Sequence, residues 1–311
     1  MFEGERLDES RTTSGAGLRD RLTLGPPLLL DAAMGTELEK RGVASGLPLW
    51  SARALLSAPM EVLAIHRENV EAGADVLTAN TFRTNRRTLE KERLGERAVE
   101  LTRRAVDLAR EAAGGARGPL FVLGCLSPVE DCYRPDLAPE SAALDSEHRE
   151  QARTLASAGV DGILVETQNS VVELSAAVRS ARETGLPVIA SVVTDGAGLL
   201  LSGEPLEAAV KALRNLGADA LGVNCVPARR VAAELRRVAE NAPSAPLVAY
   251  GNLGPPSDPD GLHFTQEVTP ADYAALAKDW LSLGARLIGG CCGTTAAHTA
   301  ALRDLIDSTE K

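Results

Sequence analysis

One three-residue joint recurs along this 311-residue chain and limits what it can become. Gly73-Ala74-Asp75, Gly159-Val160-Asp161, Gly217-Ala218-Asp219 and Gly284-Ala285-Arg286 each follow an amphipathic, helix-like stretch and open a short apolar run. A glycine just past a helix readily takes the left-handed conformation that ends it. Four such joints imply one repeated β/α unit. Apolar runs at 28–33, 75–79, 120–125, 162–165, 188–193, 220–224, 247–250 and 286–289 read as strands buried on both faces. Between them, 60–71, 88–113, 147–157, 171–184, 206–216, 229–241, 271–283 and 296–308 carry helical periodicity. Eight alternations over about 290 residues predict a (β/α)8 TIM barrel. The alternative, a doubly wound open sheet, lacks its Gly-x-Gly-x-x-Gly fingerprint after the first strand. Residues 1–24, acidic and without an apolar centre, are expected to be a mobile extension, with 25–311 a single barrel domain.

Such barrels work at the C-terminal ends of their strands, so polar residues there carry the chemistry. The last strand runs into Ile288-Gly289-Gly290-Cys291-Cys292-Gly293-Thr294-Thr295. Neighbouring cysteines bond to each other only through a strained ring, so a Cys291–Cys292 staple is not expected. Two thiolates side by side suit zinc; two small buried thiols beside a turn are the plain alternative. Asp31, Asn80, Thr81, Glu166, Asn224, Cys225 and Asn252 sit at other strand ends. A closed barrel brings Cys225 to the same rim as Cys291 and Cys292. Three thiolates leave one of zinc's four positions open, the mark of a catalytic site.

A net charge of −10 and a pI near 5.1 argue against nucleic acid as a partner. No apolar run reaches the ~18 residues a membrane span needs. Five cysteines and no signal-peptide pattern predict reduced thiols and a cytoplasmic protein, monomer or homo-oligomer. His66, His148, His263 and His298 lie away from strand ends and read as packing residues. Cys125 reads as core, and Cys132 as near the pocket.

Leu30-Asp31-Ala32-Ala33-Met34-Gly35-Thr36-Glu37-Leu38, Ala79-Asn80-Thr81-Phe82, Val165-Glu166-Thr167, Gly222-Val223-Asn224-Cys225 and Gly289-Gly290-Cys291-Cys292-Gly293-Thr294-Thr295 together resemble the homocysteine S-methyltransferase family. The resemblance covers roughly residues 27–306. It implies a zinc enzyme that methylates homocysteine to methionine, with Cys225, Cys291 and Cys292 as metal ligands. It also places Asp31 and Glu166 beside the substrate ammonium; in turn-capping or helix-start roles the same acids would be structural. Asn80 and Thr81 are candidates to hydrogen-bond substrate, or strand-end turn residues. Asn224 is counted with the substrate-binding residues and is also expected to orient Cys225, and Asn252 to offer an oxygen to the open metal position. Where the family usually has Asp-Gly, Ala32 follows Asp31, and its methyl predicts a narrower pocket.

For the methyl donor, the chain ends shortly after its last helix, so no cobalamin module is expected. Betaine wants an aromatic cage, and aromatics are only 3% of the chain. Trp50 is placed at the mouth and Trp280 far from it, with Phe82 or Tyr133 as possible additions. A sulfonium donor, S-methylmethionine before S-adenosylmethionine, is therefore expected, with betaine or another methylamine as runner-up. Two readings of other classes stand beside these. A zinc lyase or hydrolase would prefer His and carboxylate ligands. A non-catalytic zinc- or thiol-binding protein would close its site with a fourth ligand.

Overall fold

The computed structural model describes residues 14–43, 46–116, 118–253 and 268–309. Of the extension predicted to be mobile over 1–24, residues 1–13 lie outside the described residues, as does His263, whereas Ser14–Thr23 form a helix that buries Leu18 and Leu22 and so is part of the folded barrel.

Among the described residues, eight strands pair in parallel: β1 (Leu28–Leu29), β2 (Val76–Ala79), β3 (Phe121–Leu126), β4 (Gly162–Gln168), β5 (Val188–Val192), β6 (Ala220–Pro227), β7 (Leu247–Asn252) and β8 (Ala285–Gly290). They follow one another in the order β1-β8-β7-β6-β5-β4-β3-β2, and a parallel bridge from Leu30 to Val76 joins the two ends. The sheet is therefore a closed barrel, and the chain has the predicted (β/α)8 fold. Helices α1 (Ser14–Thr23), α2 (Gly35–Lys40), α3 (Ala54–Ser57), α4 (Pro59–Glu71), α5 (Arg86–Glu90), α6 (Ala98–Ala113), α7 (Ser141–Ser157), α8 (Val171–Arg182), α9 (Leu206–Leu216), α10 (Ala228–Asn241), α11 (Pro270–Ser282) and α12 (Ala296–Thr309) surround it.

The repeated joints explain themselves at the barrel floor. Gly73, Gly159, Gly217 and Gly284 all have positive φ, from 72° to 94°. In three joints the following aspartate accepts a backbone N–H from the preceding strand. Asp75 takes that of Leu29, Asp161 that of Val122 and Asp219 that of Val188, at 2.7–2.8 Å. Each aspartate also pairs with arginine: Arg303, Arg110, and Arg19 with Arg182. The fourth joint carries Arg286 instead, which donates to the Leu22 and Gly25 carbonyls and so ties the chain after α1 to β8. Leu18 and Leu22 of α1 close the floor against Leu28, Leu123, Leu164, Ile189 and Leu287.

Three expectations shift. β1 is Leu28–Leu29, its pairing carried on by the Leu30 and Asp31 N–H groups to Ile288 and Val76; the ladder does not reach residue 33 because the Ala32 and Ala33 N–H groups go to the side chains of Asn69 and Thr294. The helix expected over 88–113 breaks where Arg93 turns left-handed (φ 58°), leaving α5 and α6. β4 and β6 each run three residues past their predicted ends, so Glu166 and Cys225 lie within strands.

Candidate metal centre and substrate cavity

That last difference builds the site. β4 slips register between Val165 and Gln168, and β6 between Asn224 and Pro227. At each slip one residue is left-handed: Thr167 and Cys225, both at φ 55°. Such bulges re-aim a side chain, and each left-handed non-glycine costs about 1–3 kcal/mol. Asn224, fully buried, holds the two bulges together. Its Oδ1 accepts from the Thr167 N–H (2.9 Å) and the Ser191 hydroxyl (2.8 Å), and its Nδ2 donates to Thr167 Oγ1 (2.8 Å).

Cys225 is thereby turned toward the turn after β8. The sulfurs of Cys225, Cys291 and Cys292 lie within 4.8 Å of one another, with Cys225 Sγ 4.0 Å from Cys292 Sγ. A Cβ on Gly290 would stand 2.2 Å from Thr294 Oγ1, the hydroxyl that donates to the Cys291 carbonyl and clamps this turn. Tyr133 Oη lies 3.2 Å from Cys225 Sγ, and Asn252 Nδ2 donates to the Cys225 carbonyl. Hydrogen bonds from Cys291 and Cys292, with help from Tyr133 and Asn252, hold the Cys225 thiol well below the usual range. Bonding to Cys225 pushes the other two up. Three crowded thiols of which one ionises easily make a group that could hold a metal ion, whose charge would let all three ionise.

Cys225, Cys291 and Cys292 line a cavity of about 160 Å³. Asp31 and Glu166 are on its wall. Burial raises Asp31 to about 8 against the pull of the Thr78 N–H, and raises Glu166 to about 7 against hydrogen bonds from Cys125 and Tyr250. Tyr250 Oη donates to Glu166 Oε2 at 3.0 Å and meets Ser191 at 2.8 Å, linking Glu166 to Asn224. Behind Asp31 sits His66, fully buried, with Nδ1 3.8 Å from Asp31 Oδ2 and neither ring nitrogen hydrogen-bonded. Burial lowers His66 to about 4, so it is neutral.

Asn80 also lines the cavity, but its amide is engaged by Ser51, at 2.6 Å and 2.9 Å. Thr81 faces away: its hydroxyl bridges the backbone of Cys125 and borders a smaller cavity behind the wall. Ala32, Cys125 and Cys132 line the main cavity, and burial lifts Cys132 to about 12. Trp50, Phe82, Tyr133 and Tyr250 all reach its wall, which weakens the inference from the low aromatic count. Trp280 packs against Tyr273 in the outer core, as expected. Tyr250, His66 and Arg83 were not expected on or beside the wall. Tyr250 had a signal, since it shares the inward face of β7 with Val248; the other two had none.

The sequence model described as homocysteine S-methyltransferase matches residues 28–306. The homocysteine S-methyltransferase of Escherichia coli is 32% identical over 303 residues, covering 89% of this chain and 94% of that one. The methionine synthase of Mycobacterium tuberculosis is 32% identical over 289 residues, but this chain spans only 24% of its length. The metallated crystal structure of the homocysteine methyltransferase MmuM from E. coli superposes with a TM-score of 0.79 at 30% identity, covering 92% of this chain and 99% of that one.

Proposed function

From the chain's membership of the homocysteine S-methyltransferase family, we propose that it is a zinc enzyme transferring a methyl group from a sulfonium donor to homocysteine, giving methionine. The observation that carries this is the three-sulfur cluster on the wall of the cavity that also holds two carboxylates, Asp31 and Glu166, without a basic partner among the described residues. Four thiolates around zinc at about 2.3 Å each would lie about 3.8 Å apart. The 4.0 Å gap from Cys225 to Cys292 is close to that spacing. Among the described residues the group contains no fourth His, Cys, Asp or Glu, which speaks against a closed, non-catalytic site. Its all-sulfur make-up speaks against a lyase or hydrolase.

Cys225, Cys291 and Cys292 would hold the zinc. When bound, it supplies the charge that turns a coordinated substrate thiol, with a free pKa near ~8.5, into a thiolate. Asp31 and Glu166 take the substrate ammonium, and once ionised they orient the acceptor sulfur toward the rim. The rings of Trp50, Phe82, Tyr133 and Tyr250 face a cationic donor and keep water from its methyl carbon. Attack on that carbon breaks its bond to the donor sulfur, which leaves as a neutral thioether. The same rings suit betaine, whose amine also leaves neutral, so betaine stands as a second reading. The preference for S-methylmethionine, then S-adenosylmethionine, rests on the better leaving group.

The test incubates zinc-loaded protein and homocysteine with each donor in turn and follows methionine. No methionine from any donor would sink the proposal. Faster turnover with betaine than with either sulfonium would overturn only the donor.

A further inference from the structure

Arg83 has no part in that reading. It follows Phe82 in the turn after β2, is only 5% exposed, and lies on the cavity wall. Among the described residues it is the sole lysine or arginine there. Its bonds are sparse for a buried guanidinium. Nη1 donates to the Glu130 carbonyl at 2.6 Å. Nη2 stands 4.0 Å from Asp131 Oδ1, beyond hydrogen-bond reach, and Nε is buried without a partner. The guanidinium carbon sits 5.2 Å from the centroid of the Phe82 ring. A guanidinium offers five donors in a planar fork that matches a carboxylate. Stapling the loop through one carbonyl would need a single donor and leaves the buried Nε unexplained. Burying an unmade donor is costly, and a ligand that completes the fork removes the cost.

Asp31 and Glu166 supply the opposite sign on the same wall. The cavity wall carries one cation and three carboxylates: Asp131 stands 4.0 Å from Arg83, while Asp31 and Glu166 face no lysine or arginine among the described residues, so the wall is matched to a small zwitterion whose ammonium meets those two acids. We infer that Arg83 receives the carboxylate of an amino-acid substrate bound in this cavity. The inference rests on the substrate class proposed above. The carboxylate belongs to the thiol acceptor or to the sulfonium donor, both of which are amino acids, and the test separates them.

Zinc-loaded full-length protein is titrated calorimetrically with two matched pairs. One is homocysteine and 3-mercaptopropylamine; the other is S-methylmethionine and (3-aminopropyl)dimethylsulfonium. The second member of each lacks only the carboxylate. In one pair the carboxylate should raise affinity at least roughly tenfold, and which pair does so names the source. Arg83→Gln should erase that difference while leaving the decarboxylated member's binding unchanged, and Arg83→Lys should restore part of it. Equal affinities within both pairs of the wild-type protein overturn the inference without any variant. So does a carboxylate preference that survives Arg83→Gln, or equal weakening of both members, which would mark a loop-holding role. If no ligand of either pair binds, the substrate class itself falls and the inference with it. Binding of homocysteine with no carboxylate preference in either pair removes the inference alone.

Discussion

The two ends of the barrel treat their acids in opposite ways. At the floor, Asp75, Asp161 and Asp219 each accept a strand N–H and face an arginine. At the rim, Asp31 and Glu166 are buried, and no lysine or arginine among the described residues pairs with them. Floor charges are complete within the fold and hold strands together. Rim charges are incomplete until something cationic arrives. The backbone follows the same division: the floor's left-handed residues are glycines, whereas the rim has Thr167 and Cys225 there. Strain and unmet polarity gather at the end where the fold is expected to bind and react.

The strongest way to break this division is to remove a rim thiol. Cys291→Ala should abolish binding of about one zinc per chain and lower methyl transfer by more than roughly 100-fold. The metal-free protein should melt much as before, since the floor is untouched. Metal analysis beside melting with and without zinc checks this. Retained zinc in Cys291→Ala would show that the three sulfurs are not the site.

A second pair of substitutions should move stability in opposite directions. Asp161→Ala orphans the Val122 N–H and unpairs Arg110. It should cost about 1–3 kcal/mol, discounted for the partial exposure of Arg110. Asp31→Asn should stabilise the metal-free protein at alkaline pH. The Asp31 carboxyl is raised from 3.8 to about 8, so folding favours its protonated form. That contribution is whole below about pH 4 and is lost as pH rises through about 8, at up to ~1.4 kcal/mol per pH unit. The gain from Asn should therefore reach a few kcal/mol at pH 9 and vanish near pH 4. Denaturant melts at the two pH values decide it, and a loss of stability at pH 9 would mean that the carboxylate is held by the fold after all.

Ligand binding should sharpen the contrast further. Methionine, the expected product, carries the ammonium but no ionisable thiol. Its affinity should climb between pH 6 and 8.5 as Glu166 and Asp31, at about 7 and 8, become charged. Glu166→Gln should weaken it by roughly 10- to 100-fold at the upper end and flatten the rise. A pH-independent affinity in the unaltered protein would separate these acids from the ammonium.

The floor was the more legible end. Gly-x-Asp joints and apolar runs are local signals, and they located all eight strands. The cysteines were legible because Cys291 and Cys292 are adjacent and barrel closure brings Cys225 to them. The bulges at Thr167 and Cys225 were not, because a register slip is set by the neighbouring strand and by Asn224 across the sheet. His66 reads as one more residue of an amphipathic helix until α4 packs it behind Asp31. The aromatic count misled for a related reason: composition is an average, and the fold draws Trp50, Phe82, Tyr133 and Tyr250 to one wall.

The smallest expected effect concerns Ala32, which lines the cavity next to Asp31. Its N–H is held by Asn69 Oδ1 at 3.0 Å, and Asn69 also accepts from Thr299 at 2.9 Å, so the backbone is fixed from behind. Removing the methyl should then widen the cavity without moving the chain. Ala32→Gly should cost about 0.5–1 kcal/mol through the freer unfolded backbone. Loss of one buried methyl contact should change homocysteine affinity by less than about fivefold, given ~0.8 kcal/mol per buried carbon. The informative readout is selectivity. A thiol amino acid branched at its β-carbon should gain on homocysteine in Ala32→Gly if the methyl narrows the pocket beside the acids. An unchanged preference would place the limiting contact elsewhere on the wall, and would leave the alanine as a backbone-stiffening residue with no say in the choice of acceptor.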